Sequence, residues 1–218
     1  MKKKILRIVV TLAVLALGVL GALNYPFLLD YGVLKDSVYT NRYFHMKVPL
    51  QGWFPVDMEK LKWMAERQEF LAKNPNSEPP KQPAAHRCAN IHLIMAYDRP
   101  PTSEDRTFNP SFFIFAEKTA AKPRARSARQ YLQKVSEEMA ANNPNSTMRV
   151  PDGVDEGVID GKKAARMRVE YEDAGKVFRQ EYYAFKTFHY FLSFVLTWES
   201  VEQRARLQIL LDSIHFKL

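Results

Sequence analysis

Three consecutive segments near the C-terminus restrict the fold more than anything else in this chain. "ARMRVEYED" (165–173) alternates strictly, setting Met167, Val169 and Tyr171 on one side and Arg166, Arg168, Glu170 and Glu172 on the other. Successive side chains of a strand point to opposite faces, so this run is a strand with an inward apolar side and an outward charged side. The turn Asp173-Ala174-Gly175-Lys176 leads into "VFRQEYYAFKTF" (177–188), and "HYFLSFVLTW" (189–198) follows almost at once. Parallel strands need a crossover of a dozen or more residues. These connections are far shorter, so the three runs form an antiparallel meander. Their aromatic residues read as sheet-covering core rather than as the lining of a ligand pocket.

Upstream, "PDGVDEGVIDGKK" (151–163) holds three of the chain's eight glycines, which reads as tight turns flanking a short strand. In "NPSFFIFAEK" (109–118), Phe112, Phe113, Ile114 and Phe115 leave no polar side, so this strand is expected to be covered on both faces. "CANIHLIMAYDR" (88–99) is expected to be a strand with Ile91, Leu93 and Met95 on one face. "SVYTNRYFHMKVP" (37–49) reads as one strand stopping at Pro49, with Met46 and Val48 opposed to His45 and Lys47. Met58, Leu61 and Leu71 recur at helical spacing after Asp57, up to Lys73. Ser127-Ala128-Arg129-Gln130 and Ser200-Val201-Glu202-Gln203 both have the form of a capping box and open two further helices. "NPNSEPPKQP" (74–83) carries four prolines in a short polar stretch and reads as a loop; "IHF" (214–216) closes the chain as a short strand or cap. Strands joined by tight turns, with helices packed on them, give the class α+β: an antiparallel sheet sandwiched by helices.

The other end of the chain speaks to location. Ile5 to Leu23 is interrupted only by Arg7 and Thr11 and follows Lys2, Lys3 and Lys4. As a helix this run spans roughly 28 Å, close to the hydrocarbon thickness of a bilayer. The cations at its front are expected to stay cytoplasmic, which places everything after Leu23 on the outer side. The run lacks a clear small-x-small cleavage site and continues into Tyr25, Pro26 and Phe27, which favours a retained anchor; the alternative is a secreted chain freed by signal cleavage. Residues 1–29 are therefore read as membrane anchor or signal segment, and 30–218 as a single exported domain interrupted by the Pro-rich loop at 74–83.

Charge then argues against one large class of partner. The formal +8 suggests nucleic acid until the N-terminal cations are set aside, after which 28 basic residues stand against 24 acidic ones. That is ordinary surface charge for a soluble domain, so no nucleic-acid partner is expected. Cys88 is the single cysteine and can form no internal disulfide.

Two stretches are similar to PsbP-like domains: "YTNRYFHMKVPLQGW" (39–53), an aromatic strand, a Pro, then Gly52-Trp53, and "IDGKKAARMRVEY" (159–171) with its aromatic hairpin and a terminal helix ending in "LLDSIHF". The resemblance covers residues 37 to 218. It implies an αβα sandwich and a role as an accessory binding protein, since one branch of such domains supports the oxygen-evolving photosystem and another binds a small GTPase. No residue-level functional motif of either branch occurs here, and the Pro-rich stretch departs from the pattern.

Catalytic patterns are scarce. There is no G-x-S-x-G turn, no glycine-rich phosphate loop, no C-x-x-C and no H-x-x-x-H, so no catalytic residue, cofactor or metal site is assigned. An extended strand would put only His86 within contact of Cys88, with no orienting group in sight. Asp152, Asp155, Glu156 and Asp160 crowd one loop, but their spacing misses the calcium-loop register and the adjacent glycines explain them as turn formers. One basic stretch stands out. "EKTAAKPRARSAR" (117–129) gathers Lys122, Arg124, Arg126 and Arg129 at the start of a helix, where the dipole prefers negative charge. Such an arrangement invites an anion: a lipid headgroup, a phosphate or an acidic partner surface; the alternative is a solvated loop whose charges point into water. The expected function is a membrane-anchored, exported, non-catalytic binding or assembly module. The alternative is an enzyme or small-ligand carrier whose site is built from scattered residues. A third possibility is an envelope protein recognised through the Pro-rich loop, with Lys73, Lys81 and Arg87 supplying charge.

Overall fold

The three alternating runs do form the expected meander, and a large sheet grows around it. The structure is a computed structural model that describes residues 31–57, 63, 67, 71, 90–101, 107–142, 147–173, 175–187 and 189–216. In chain order these give strands β1 (Val33–Lys35), β2 (Val38–Asn41), β3 (Met46–Pro49), β4 (Phe54–Pro55), β5 (Asn90–Tyr97) and β6 (Ser111–Lys118), then helix α1 (Ala128–Asn142). Strands β7 (Val154–Ile159), β8 (Lys162–Asp173), β9 (Lys176–Lys186) and β10 (Tyr190–Trp198) follow, then helix α2 (Val201–Asp212) and β11 (His215–Phe216). Seven strands form one sheet in the order β4-β5-β6-β10-β9-β8-β7, and four form a second in the order β1-β2-β3-β11. All the strand pairings are antiparallel.

This corrects the expected helix-sandwiched sheet. The described residues hold eleven strands in two sheets and two continuous α-helices, so strands, not helices, make up most of the layer over one face of the large sheet. The reason lies in residues 33–49: the stretch 37–49, read as one strand, is part of a three-strand ribbon of β1, β2 and β3. Asp36 and Ser37 both take positive φ in a two-residue loop between β1 and β2. The chain reverses again after Asn41, whose Oδ1 accepts the Phe44 amide at 2.9 Å while the His45 amide donates to the Arg42 carbonyl at 3.2 Å. An Asn side chain that imitates a backbone turn is a local device, which an alternating pattern conceals. The ribbon has its own apolar side, Tyr39, Met46 and Val48, all buried, and that side must cover something.

It covers the face of the large sheet that presents Ile94, Phe112, Ile114, Phe194 and Leu196, with Leu207, Leu210 and Leu211 of α2 completing the cluster. The opposite face of β7–β9 is covered by α1: Tyr131 and Leu132 pack on Met167, Val169, Ala184 and Phe191, and the Tyr131 and Phe191 rings stack 4.3 Å apart. Fully burying a side chain of this size stabilises by about 1.5–3 kcal/mol, so the two clusters hold the layers together. At β7, Gly157 lies against Tyr183: a Cβ there would meet the ring at 2.6 Å, so the ring packs over bare backbone.

Smaller expectations divide. Asp160 and Gly161, both at positive φ, make the two-residue turn from β7 to β8. Ser200 and Gln203 form the reciprocal capping box of α2. At α1 the pattern is shifted by one residue: Ser127 Oγ accepts the Gln130 amide, but Gln130 Oε1 accepts the amide of Arg126. In β5 a register shift between His92 and Ile94 moves Ile94 and Ala96 into the core and turns Met95, expected inward beside Ile91 and Leu93, to the other face. Phe112 and Ile114 are buried, whereas Phe113 and Phe115 are half-buried on that other face. Trp63, Arg67 and Leu71 are helical, with the Arg67 guanidinium 5.1 Å from the Trp63 ring. The apolar run at 5–23, Cys88 with His86, and the Pro-rich loop at 74–83 with its cations all lie outside the described residues. Among the described residues no helix is long and apolar enough to cross a membrane.

Candidate functional site

The charged side of β8 is only partly open to water, because its charges find partners across the sheet. Strand pairing sets Arg166 opposite Tyr183, Arg168 opposite Glu181, and Glu170 opposite Arg179, so opposite charges meet directly across the ladder. Glu181 is fully buried. Its Oε1 accepts from Arg168 Nε at 3.0 Å and lies 3.8 Å from Arg166, and its Oε2 accepts from Arg204, which reaches down from α2. A carboxylate deprived of water survives only when it is paired and hydrogen-bonded, and three guanidiniums around one Glu meet that need.

The surplus positive charge is in turn balanced. Arg166 Nε donates to Asp155 at 2.9 Å, and Arg168 lies 3.4 Å from Asp152. Asp155 is held below the usual carboxylate range, chiefly by its hydrogen bond from Arg166. The pairs with Asp155 and with Glu181 hold Arg166 and Arg168, respectively, above the ordinary arginine value. Beside this group, Arg179 donates Nε to Glu170 at 2.9 Å and Nη1 to the Glu199 carbonyl at 3.3 Å.

Where the chain bulges away from β8 at 151–153, the network opens into a cleft of about 310 Å³. Asp152, Arg168, Glu170, Arg179, Trp198 and Arg204 line it. Arg204 sits 5.2 Å from the Trp198 ring, so its guanidinium is held by both the indole face and Glu181. A guanidinium has five N–H donors in a fixed fork. Arg168 uses Nε and Nη1 on Glu181 and Asp152, and Arg179 uses Nε and Nη1 on Glu170 and Glu199. Their Nη2 groups have no partner among the described residues, and both side chains are about two-fifths exposed or more, at 46% and 40%. The cleft therefore offers two fixed donor edges flanked by two carboxylates. That chemistry suits recognition of a carboxylate or comparable oxyanion.

The basic stretch read from the sequence lies elsewhere, between β6 and α1. Its residues do not converge. Lys122 turns inward to Glu117, at 3.7 Å, and to Glu138 on α1. Burial pushes Glu117 above its ordinary value. Arg129 donates to the Val154 carbonyl, and the main-chain carbonyl of Arg126 accepts from Lys186 at 2.8 Å. Arg124 and Arg126 are exposed. Among the acidic residues weighed for calcium, Glu156 pairs with Lys163 at 3.0 Å and Asp160 Oδ2 accepts the Phe216 amide at 2.7 Å. Sequence reasoning missed Glu181 and Arg204 altogether. The available signal was the alternation of "FRQEYY", which puts Arg179 and Glu181 on the same side as the buried Tyr183.

No protein-family model matches the chain. No curated protein matches it either. Among solved structures it is similar to cyanobacterial PsbP (CyanoP) from Synechocystis sp. PCC 6803, at 10% identity and a TM-score of 0.48, over 85% of this chain and 95% of that one. It is also similar to LpqN, involved in cell envelope biogenesis of Mycobacterium tuberculosis, at 11% identity and a TM-score of 0.35, over 55% of this chain and 68% of that one. Neither likeness bears on the site, which is read from its own residues.

Proposed function

We propose that this chain is a non-catalytic binding or assembly module, tethered through residues 5–23 to a cytoplasmic membrane with its folded part on the outer side, and that the arginine-lined cleft takes an acidic group of a protein partner. The observation that carries the reading is the pair of open Nη2 edges on Arg168 and Arg179, each guanidinium locked in place by its other donors. Pre-set donors on rigid strands lose little entropy when a ligand arrives. Guanidiniums do not deprotonate in proteins, so they suit recognition better than proton transfer, which needs a group poised near the working pH. The exposed Arg124 and Arg126 are a second candidate contact for an acidic surface, weaker because nothing fixes them in place.

The test uses the full chain in its own membranes, with a photo-reactive residue in place of Pro151 at the cleft rim. A protein adduct, mapped by mass spectrometry to an acidic segment, is expected. Arg168→Gln and Arg179→Gln each weaken that binding by roughly tenfold or more, since a hydrogen bond to a charged group contributes about 1.5–3 kcal/mol. An adduct that both substitutions leave unchanged sinks the cleft as the contact. A fluorescent reporter that works only inside the cell, fused after Leu218, should stay dark; a bright fusion removes the outer placement.

A further inference from the structure

The four-stranded sheet has an outer face as well as the inner one that covers the core. Pairing aligns Val33, Thr40, Lys47 and His215 in one row across the four strands, and Lys35, Val38 and Pro49 in the next. Their strand neighbours Tyr39, Met46 and Val48 point into the core, so these rows point away from it. A shallow hollow of about 760 Å³ runs over this face, lined by Val33, Lys35, Val38, Thr40, Arg42 and Lys47, with Asp36 as the carboxylate in its lining. Three cations thus surround a small apolar floor. Val33 is 63% exposed on it. We infer that this face rests on an anionic phospholipid surface.

Two features of the molecule favour lipid as the occupant. First, Val33 begins the first described strand and lies ten residues after Leu23, the end of the apolar run. Ten residues reach at most about 35 Å, so a chain tethered by that run holds this sheet beside the bilayer at all times. Second, the chemistry is complementary. Lys and Arg stems lie along apolar surface while their heads meet headgroup phosphates, and the attraction acts only within a Debye length of about 8 Å at physiological salt. The inference rests on the tether reading above.

The experiment separates the two. Full-length chain carrying Cys88→Ser receives one fluorophore, either at Val33→Cys on this face or at Glu137→Cys on α1, beyond the opposite face of the large sheet. It is mixed with vesicles of phosphatidylcholine alone, or of equimolar phosphatidylcholine and phosphatidylglycerol, each with a trace of headgroup-nitroxide lipid that quenches at short range. The Val33 label is expected to be quenched several-fold more strongly in the anionic vesicles than in neutral ones. High salt, or Lys35→Gln with Lys47→Gln, should abolish that difference, and the Glu137 label should show none. If the double variant unfolds, Lys35→Glu alone is read instead. Equal quenching in both vesicle types, or equal quenching of both labels, overturns the inference. Flotation with neither vesicle overturns the tether and the lipid face together. Flotation with the anionic vesicles alone removes the tether but supports the face.

Discussion

One face of the seven-stranded sheet carries two chemistries, and the border between them runs down the β9–β10 ladder, where Glu181 stands directly opposite Leu196. On the β5-β6-β10 side, Ile94, Phe112, Ile114, Phe194 and Leu196 are all fully buried against the second sheet and α2. On the β8-β9 side, Arg166, Arg168, Glu170, Arg179 and Glu181 occupy the same kind of positions. Hydrocarbon burial is non-directional and indifferent to pH. The ionic half contributes little net stability, because desolvation offsets most of the Coulomb gain, but it fixes donor directions that hydrocarbon cannot. Stability and recognition are therefore expected to separate along that ladder.

The two largest losses should be comparable, and the first comes from the apolar side. Phe194 touches the rings of Phe112, Phe185 and Phe216, so Phe194→Ala opens a cavity between both sheets. About 4 kcal/mol is expected from urea unfolding, in line with other buried Phe truncations. A loss below about 1 kcal/mol would mean that the two sheets do not share a core.

Next comes Glu181. Glu181→Gln leaves three guanidiniums around a neutral amide, and breaking a buried pair from one side costs about 3–5 kcal/mol. The sharper variant replaces the group rather than breaking it. Glu181→Leu with Arg168→Leu and Arg204→Met should recover most of the lost stability while abolishing binding at the cleft, because buried ion triads exchanged for hydrocarbon are often neutral or stabilising. A triple variant that folds poorly would show that the ionic half carries the fold after all.

The same border separates what could be read in the sequence from what could not. Strands β8, β9 and β10, the Asp160-Gly161 turn and the α2 cap are written locally, in period-two alternation and turn residues within a few positions of one another. The pairing of the second sheet is not: β1 has three residues, β11, legible as a short strand or cap, has two, and Met46 finds Phe216 from the far end of the chain. Elements that short carry no periodicity of their own. The β5 bulge is equally silent, since an inserted residue re-aims Met95 without altering the apolar run. At the site, alternation correctly put Arg166 and Arg168 on one side of β8 but supplied water as their partner. The true partner, Glu181, lies thirteen residues from Arg168 and reaches it only through strand pairing, and Arg204 arrives from a helix after two further elements. The basic stretch at 117–129 was legible as a charge pattern, but the directions of Lys122 and Arg129 depend on Glu138 and Val154, which tertiary packing brings to them.

The smallest effect tests whether the ionic half responds to pH as its wiring requires. Asp155 is held below its ordinary value by Arg166, and such a group contributes stability above its unfolded pKa of about 3.9 that is lost as pH falls through the folded value. Asp155→Asn should therefore flatten the lowest part of the acid limb when the urea midpoint is followed downward in pH. The effect should stay under about 1 kcal/mol, because the carboxylate is partly exposed and solvent screens the pair. Glu117, on the α1 side, has the opposite sign. Burial raises it, so its contribution is complete below about 4.3 and fades as pH rises through the folded value. Glu117→Gln should steepen the fall in stability with acid in that higher window, because it removes a term that grows as pH drops. If both substitutions flatten the curve, the two carboxylates are held in the same way and the contrast drawn between the network on β8-β9 and the helix-covered face fails.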